Sequence, residues 1–366
     1  MYNDRVEKFL EAFVENISIS ATMIDKATNS YEAVGKWLGD GDWGYDVNIM
    51  PQGSFNLGTM IKPLSERDDY DIDLVCLLDV KELSNYDIKN LVGNRLKEHE
   101  LYKGKLQKEG KRCWTLDYEE FHMDILPCIP MCYPYSETSG NTSIHLTHKN
   151  VNNQYETRHS NPAGYQKWFE KRMESRLRIA KESFAVRAKA DIKDVPTYRV
   201  KTPLQSVVQL LKRHRDMMFK EDENAPISII ITTLAALVYN GELSIQESLS
   251  NIADHLTDSV IVHNERYIIT NPVQPDENFA DKWNEKPVKA KSFFKWHEQL
   301  KKDIAFIFSE DLRISERNIR KAFGEKPTQV GIKVAFSANK PYATVTGVPH
   351  VVKISTPNRP YGDDLL

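Results

Sequence analysis

The chain has 366 residues, 40% of them hydrophobic and 28% charged, with a formal net charge of −3 at neutral pH. That balance describes a soluble globular protein with room for one bilobal unit or two domains, and the small net charge gives no global pull toward nucleic acid or anionic membrane. No run of 18 or more apolar residues occurs, so no membrane span is expected, and four cysteines in a chain this long fit the reduced thiols of a cytoplasmic protein.

Apolar spacing predicts helices over residues 2–18 and 21–39, with Ser20 as N-cap of the second. The first is acidic and amphipathic, unlike a secretory signal or a transit peptide. After a break containing Gly39, Gly41 and Gly44, the stretch YDVNIMPQGSF reads as a short strand entering a turn. Residues 69–80 (DYDIDLVCLLDV) read as a strand with Ile72, Leu74 and Cys76 on one face and Asp71, Asp73 and Val75 on the other. A helix is expected over 85–100, then two strands joined by an acidic turn within 111–130, and an exposed loop over 131–160, where Ser, Thr, Asn, His and Pro dominate.

A charged helical pattern covers 162–190. Its acidic residues are interleaved with the basic ones, so direct nucleic-acid binding is not expected. Thr202 and Pro203 form an N-cap and first-turn pair for a helix reaching about residue 220. Pro226 opens a second apolar helix, ISIIITTLAALVYN, stopped by Gly241, and helical segments continue over 244–256 and 277–309. QVGIKVAFSAN (329–339) and HVVKIST (350–356) read as β-like, and PNRPYGDDLL as a loose tail. The expected fold class is therefore α+β: a mixed-sheet lobe over 1–195, a helical lobe over 196–325, an active-site cleft between them, and a β-like segment and tail over 326–366.

Two carboxylates inside an apolar strand cost several kcal/mol each unless something compensates them. Alternate strand residues share a face, so Asp71 and Asp73 stand side by side, and a cation between them relieves their repulsion. Magnesium suits hard oxygen ligands and bridges carboxylates to phosphate; manganese is the alternative ion. Asp124 in FHMDILP offers a third carboxylate on a second expected strand, which allows two metals or a base for a hydroxyl proton. Upstream, Gly53 and Ser54 in PQGSF supply close backbone approach and a hydroxyl for anionic oxygen, with Gln52 beside them. Cys128, Cys132, His145 and His148 also carry a spacing that invites zinc, but the two histidines stand closer than zinc motifs usually place them.

The order GS, then DxD, then a later strand Asp resembles the nucleotidyltransferase superfamily of DNA polymerase β, poly(A) polymerase and oligoadenylate synthase. PQGSFNLGTMIKPL…DYDIDLV, TPLQSVVQLLKRHRD, PISIIITTLAALVY and NPVQPDENFADKW together resemble the bacterial cGAS/DncV-like nucleotidyltransferases (CD-NTases), over about residues 45–300. The resemblance implies metal binding by Asp71, Asp73 and Asp124, and donor-triphosphate binding by Gly53, Ser54, Lys212 and Ser228. It implies base or ribose contacts from Asn271, Asp276, Asn278 and Asp281, and a stacking ring after Ser228, where this chain has Ile229. It further implies a cyclic oligonucleotide messenger made from nucleoside triphosphates, ATP among them, and regulatory proteins from a phage-defence operon. The alternatives are a template-independent RNA 3′-end nucleotidyltransferase and a protein-modifying one.

Overall fold

The computed structural model describes residues 2–65, 69–220, 222–309 and 311–337. The first two helices follow the sequence pattern: α1 (Tyr2–Ile17), and α2 (Ala21–Gly39), where Ser20 accepts from the Met23 N–H. The chain enters the sheet at β1 (Val47–Gln52), makes one helical turn, α3 (Gly53–Asn56), and returns as β2 (Tyr70–Leu78). After α4 (Asn85–Glu98) and α5 (Glu100–Lys105) come β3 (Trp114–Asp117) and β4 (Phe121–Pro130). β2 is antiparallel to β1, with Gln52 opposite Asp73, and parallel to β4, with Asp71 opposite His122 and Asp73 opposite Asp124.

The far edge of β4 takes β3 along its first half and β5 (Ile144–Lys149) along its second, and β5 pairs with β6 (Tyr155–Ser160). The sheet runs β1-β2-β4-β5-β6 and is mixed. Within 131–160, where composition predicts an exposed loop, residues 131–143 and 150–154 lie outside the strands, but 144–149 and 155–160 are paired strands. Ile144 and Leu146 are buried against Val75, Leu77 and Cys128, and that two-residue alternation outweighs the polar residues around it.

The rest is helical: α6 (Pro162–Arg172), α7 (Glu174–Ala188), α8 (Pro203–Phe219), α9 (Ser228–Val238) and α10 (Ile245–His255). Thr202 and Gln205 form a capping box on α8, with Pro203 in its first turn, as the sequence predicts. Two small hairpins follow, β7 (Ile261–His263) with β8 (Arg266–Ile268), and β9 (Thr270–Asn271) with β10 (Gln274–Asn278). Then come α11 (Asp281–Glu285), α12 (Pro287–Ile307), α13 (Leu312–Phe323) and α14 (Glu325–Ala335). The helix expected over 277–309 starts only at Asp281 and restarts at Pro287, which fits a helix's first turn but not its interior.

Packing does not follow chain order. Phe9 and Phe13 of α1, and Tyr165 and Phe169 of α6, join the same core cluster as the side chains of α8–α13. The Glu7 carboxylate accepts from the Ile245 and Gln246 N–H groups, both at 2.8 Å, and so caps α10 from α1. Arg172 closes the other exposed helix end nearby, donating to the carbonyls of Ala236, Leu237 and Tyr239. Of QVGIKVAFSAN (329–339), expected as β-like, residues 329–335 belong instead to the helix α14. The helix lies along α1, and tertiary packing overrides the Val330-Ile332-Val334 alternation. HVVKIST and the tail after it lie outside the described residues.

Candidate active site

β2 acts as a ruler. Ile72 and Leu74 are fully buried on one face, which leaves Asp71 and Asp73 on the other, next to His122 and Asp124 of β4. Burial first, then the charges of Asp124 and Asp71, push the Asp73 carboxyl up to about 6, with Lys212 pulling the other way. Asp71 is more exposed, and it too is raised, by partial desolvation and then by Asp124, with His122 opposing. Two neighbouring acids that both resist ionisation mark a place that takes positive charge. On the next strand over, Thr115 donates to Asp124 Oδ1 at 2.5 Å. Behind this strand the fully buried Lys89 donates to the Gly110 and Cys113 carbonyls, and burial pushes its ammonium down to about 8.

The turn above the carboxylates requires glycine. Gly53 has φ +62°, and a side chain there would run into the Asp73 carboxylate. Ser54 follows it, and Phe55 anchors the turn, stacked on Tyr198 at 4.8 Å and edge-on to Tyr31 at 6.2 Å. Gln52 precedes the turn, opposite Asp73.

Lys212 and Ser228 come from the helical side. Lys212 is buried, and its Nζ donates to the Thr59 carbonyl at 3.1 Å and to Thr59 Oγ1 at 3.3 Å. Burial and then the Arg215 charge push it down to about 7, with Asp216 and Asp73 opposing. Ser228 opens α9, and its Oγ accepts from Arg215 Nη1 at 2.9 Å; Arg215 also donates to the Pro226 carbonyl at 3.0 Å. Arg215 was not anticipated from the sequence, although it lies three residues after Lys212 and hence on the same helix face. Ile229, where the resemblance leads one to expect a stacking ring, packs against the helical core.

The NPVQPDENFADKW segment forms the β9–β10 hairpin and the start of α11. Asn278 Oδ1 accepts from the Ile269 and Ala280 N–H groups, and its amide donates to the Tyr267 carbonyl. Asn271 is buried, donates to Glu277, and accepts from the Val273 N–H. These bonds are internal to the hairpin and its flanks. Asp276 is exposed at the hairpin, and Asp281 accepts from the Lys282 N–H.

Among the described residues, one group of three has ligand atoms all within 4.8 Å of one another: Asp69, Asp117 and His122. It adjoins the expected trio without coinciding with it. His122 Nδ1 lies 3.7 Å from Asp71, and His122 Nε2 lies 3.3 Å from Asp117. Cys128, Cys132, His145 and His148 form no such group; Cys128 is buried and directed at the Cys76 carbonyl, while Cys132 is exposed. No helix among the described residues is long and apolar enough to cross a membrane.

Residues 5–172 match the family described as the Second Messenger Oligonucleotide or Dinucleotide Synthetase domain. A c-di-GMP synthase of Roseivirga ehrenbergii is 34% identical over 350 residues, covering 92% of this chain and 85% of that protein. Among solved structures, the CD-NTase CdnG of Bradyrhizobium diazoefficiens in complex with GTP superposes with a TM-score of 0.69 at 19% identity, covering 90% of this chain and 98% of that one. The GTP-bound form of Vibrio cholerae DncV gives 0.54 at 14% identity, covering 89% and 88%.

Proposed function

Because this chain belongs to the bacterial cGAS/DncV-like nucleotidyltransferases, we propose that it condenses GTP into cyclic di-GMP with a divalent cation, in anti-phage signalling. The enzyme is a nucleotidyltransferase that builds a cyclic oligonucleotide from nucleoside triphosphates. The choice of GTP is supported by the c-di-GMP synthase to which the chain is 34% identical. The defence role, with regulatory proteins from the same operon, is supported by family membership.

The observation that carries the site assignment is the register: Asp73 lies directly beside Asp124 on parallel strands, below a positive-φ glycine turn. In this reading a ribose hydroxyl of one GTP attacks the α-phosphorus of another, the bond to the β-phosphate breaks, and pyrophosphate leaves. A second transfer in the reversed orientation closes the ring. Asp71, Asp73 and Asp124 would supply an all-oxygen donor set for magnesium or manganese, which when bound would neutralise phosphate charge and acidify the attacking hydroxyl. Asp124, oriented by the Thr115 bond, takes the hydroxyl proton. Gly53, Ser54, Lys212 and Ser228 hold the donor triphosphate, and Gln52 flanks it. Asn271 and Asn278 shape the β9–β10 hairpin, and Asp276 presents an acceptor at its surface for ribose or base.

The test is incubation of the purified protein with GTP labelled at the α-phosphate, with magnesium or manganese, followed by phosphatase. A phosphatase-resistant product that co-migrates with cyclic di-GMP, absent when EDTA is added, is the expected result. A mixed-base ring would overturn the choice of GTP. Label carried on RNA ends or on protein would overturn the activity.

A further inference from the structure

One face of α8 carries a row of polar side chains that an apolar core gives no reason to bury. Gln205 and Gln209 are fully buried, and Lys212 and Arg213 nearly so. With Lys201 just before the helix they recur about every four residues, and hence on one face. Buried donors are costly unless paired, and each of these five side chains bonds a single segment, although Arg213 Nε has no partner.

The pairing runs in order along that segment. Gln205 Nε2 donates to the Leu57 carbonyl at 2.9 Å, Lys201 Nζ to Gly58 at 2.8 Å, and Lys212 Nζ to Thr59 at 3.1 Å. Gln209 Nε2 donates to Met60, and Arg213 Nη2 to Lys62 at 2.6 Å. The residue passed over, Ile61, is bridged to Ser18 instead. Gln209 joins the two arrangements, because its Oε1 accepts from Lys201 Nζ at 2.9 Å and Ser18 Oγ at 3.3 Å. Gly58 has φ +65°, and any side chain there would collide with the Gln205 amide, so this glycine exists to admit the clamp.

The clamped segment begins where the phosphate turn ends. The Leu57 N–H donates to the Gly53 carbonyl at 3.1 Å, and the Thr59 N–H to the Ser54 carbonyl at 3.0 Å. Holding residues 57–62 therefore holds Gly53 and Ser54. Of the five donors, Lys212 is the one that also feels the Asp73 charge.

We propose that Lys201, Gln205, Gln209 and Arg213 are positioning residues that lock the Gly53–Ser54 turn to α8, so that Lys212 can exchange Thr59 for the donor triphosphate without the turn moving. This rests on the reading of that turn as the donor-phosphate site. Misplacing a reacting group by about 1 Å costs on the order of 10²-fold in rate, which is the scale at which such a clamp matters.

The experiment compares wild type with Gln209→Met, which keeps the side-chain length and removes both the donor and the acceptor. Hydrogen exchange on the nucleotide-free protein reads the clamp, and steady-state transfer together with the Kd of a non-hydrolysable GTP analogue reads its consequence. The expected result is at least tenfold faster exchange at residues 57–59 with α12 unchanged, and a fall in kcat/KM of about 10- to 100-fold, most of it in kcat. Unchanged exchange at 57–59 overturns the clamp. Faster exchange with kcat, KM and Kd all within twofold of wild type overturns its positioning role. If Gln209→Met does not fold, Lys201→Met, at an exposed position, is read in the same way, with Lys201→Arg expected to restore turnover. A wild type that neither binds GTP nor transfers nucleotide fails the functional reading, whereas the exchange measurement still decides the clamp.

Discussion

Asp73→Asn separates the cost of the carboxylate cluster from its use. Asp73 titrates near 6 in the folded chain, against 3.8 for an unperturbed aspartate. A raised carboxyl pKa means that the folded state holds the proton more tightly than the unfolded state, so ionisation opposes folding. The penalty is absent below about pH 4, grows as pH rises through the window between the two values, and is constant above about pH 6. A shift of roughly two units corresponds to about 3 kcal/mol. Metal-free Asp73→Asn should therefore be more stable than wild type by about 3 kcal/mol at pH 8, and by about half that at pH 5, in urea unfolding with EDTA present. Magnesium should narrow the gap by stabilising wild type more than the variant, while nucleotidyl transfer by the variant falls by three orders of magnitude or more. A variant no more stable than wild type at pH 8, or a gap that ignores pH, refutes the argument that these acids are held together at a cost.

Gly53→Ala places a side chain at φ +62° and against the Asp73 carboxylate; we expect a loss of about 1–3 kcal/mol in unfolding free energy and of at least two orders of magnitude in transfer. Thr115→Val removes the donor to Asp124 Oδ1 with little change in shape. The expected signature in steady-state kinetics is a kcat lower by about tenfold with KM for GTP within twofold, because in the proposed reaction the bond orients a reacting group and does not bind the donor. GTP and divalent cation should each raise the other's affinity by the same factor, measured by titrating either one at fixed levels of the other; independent binding would contradict the site geometry.

The elements that position the candidate site are legible because their signals are local. Ser20, Thr202 and Pro203 mark helix starts through bonds made within three residues, and Asp71 and Asp73 stand out by interrupting an apolar alternation. What was not legible depends on partners distant in sequence. β5 and β6 are strands because Ile144 and Leu146 meet Val75 and Leu77, and α14 is a helix because α1 lies against it. The KRHRD run is strongly charged, yet Lys212 and Arg213 are buried, because they bond carbonyls some 150 positions earlier. Asp69 and Asp117 gather around His122 only once β3 folds back on β4.

Asp73 and Lys212 are shifted in opposite directions. Burial pushes Asp73 up to about 6 and Lys212 down to about 7, so each group is held away from its charged form, and the two partly offset each other. A lone cation would satisfy the carboxylates while worsening the position of the lysine ammonium, and a lone triphosphate would do the reverse. Under the proposed function a metal–nucleotide complex would answer both, its cation held by Asp71, Asp73 and Asp124 and its phosphates by Lys212 and the Gly53–Ser54 turn. Both frustrations are relieved in a single binding event only if the turn and the strand keep their spacing. In this fold Gly53 has β1–β2 pairing on one side and, on the other, the proposed α8 clamp that would hold that spacing.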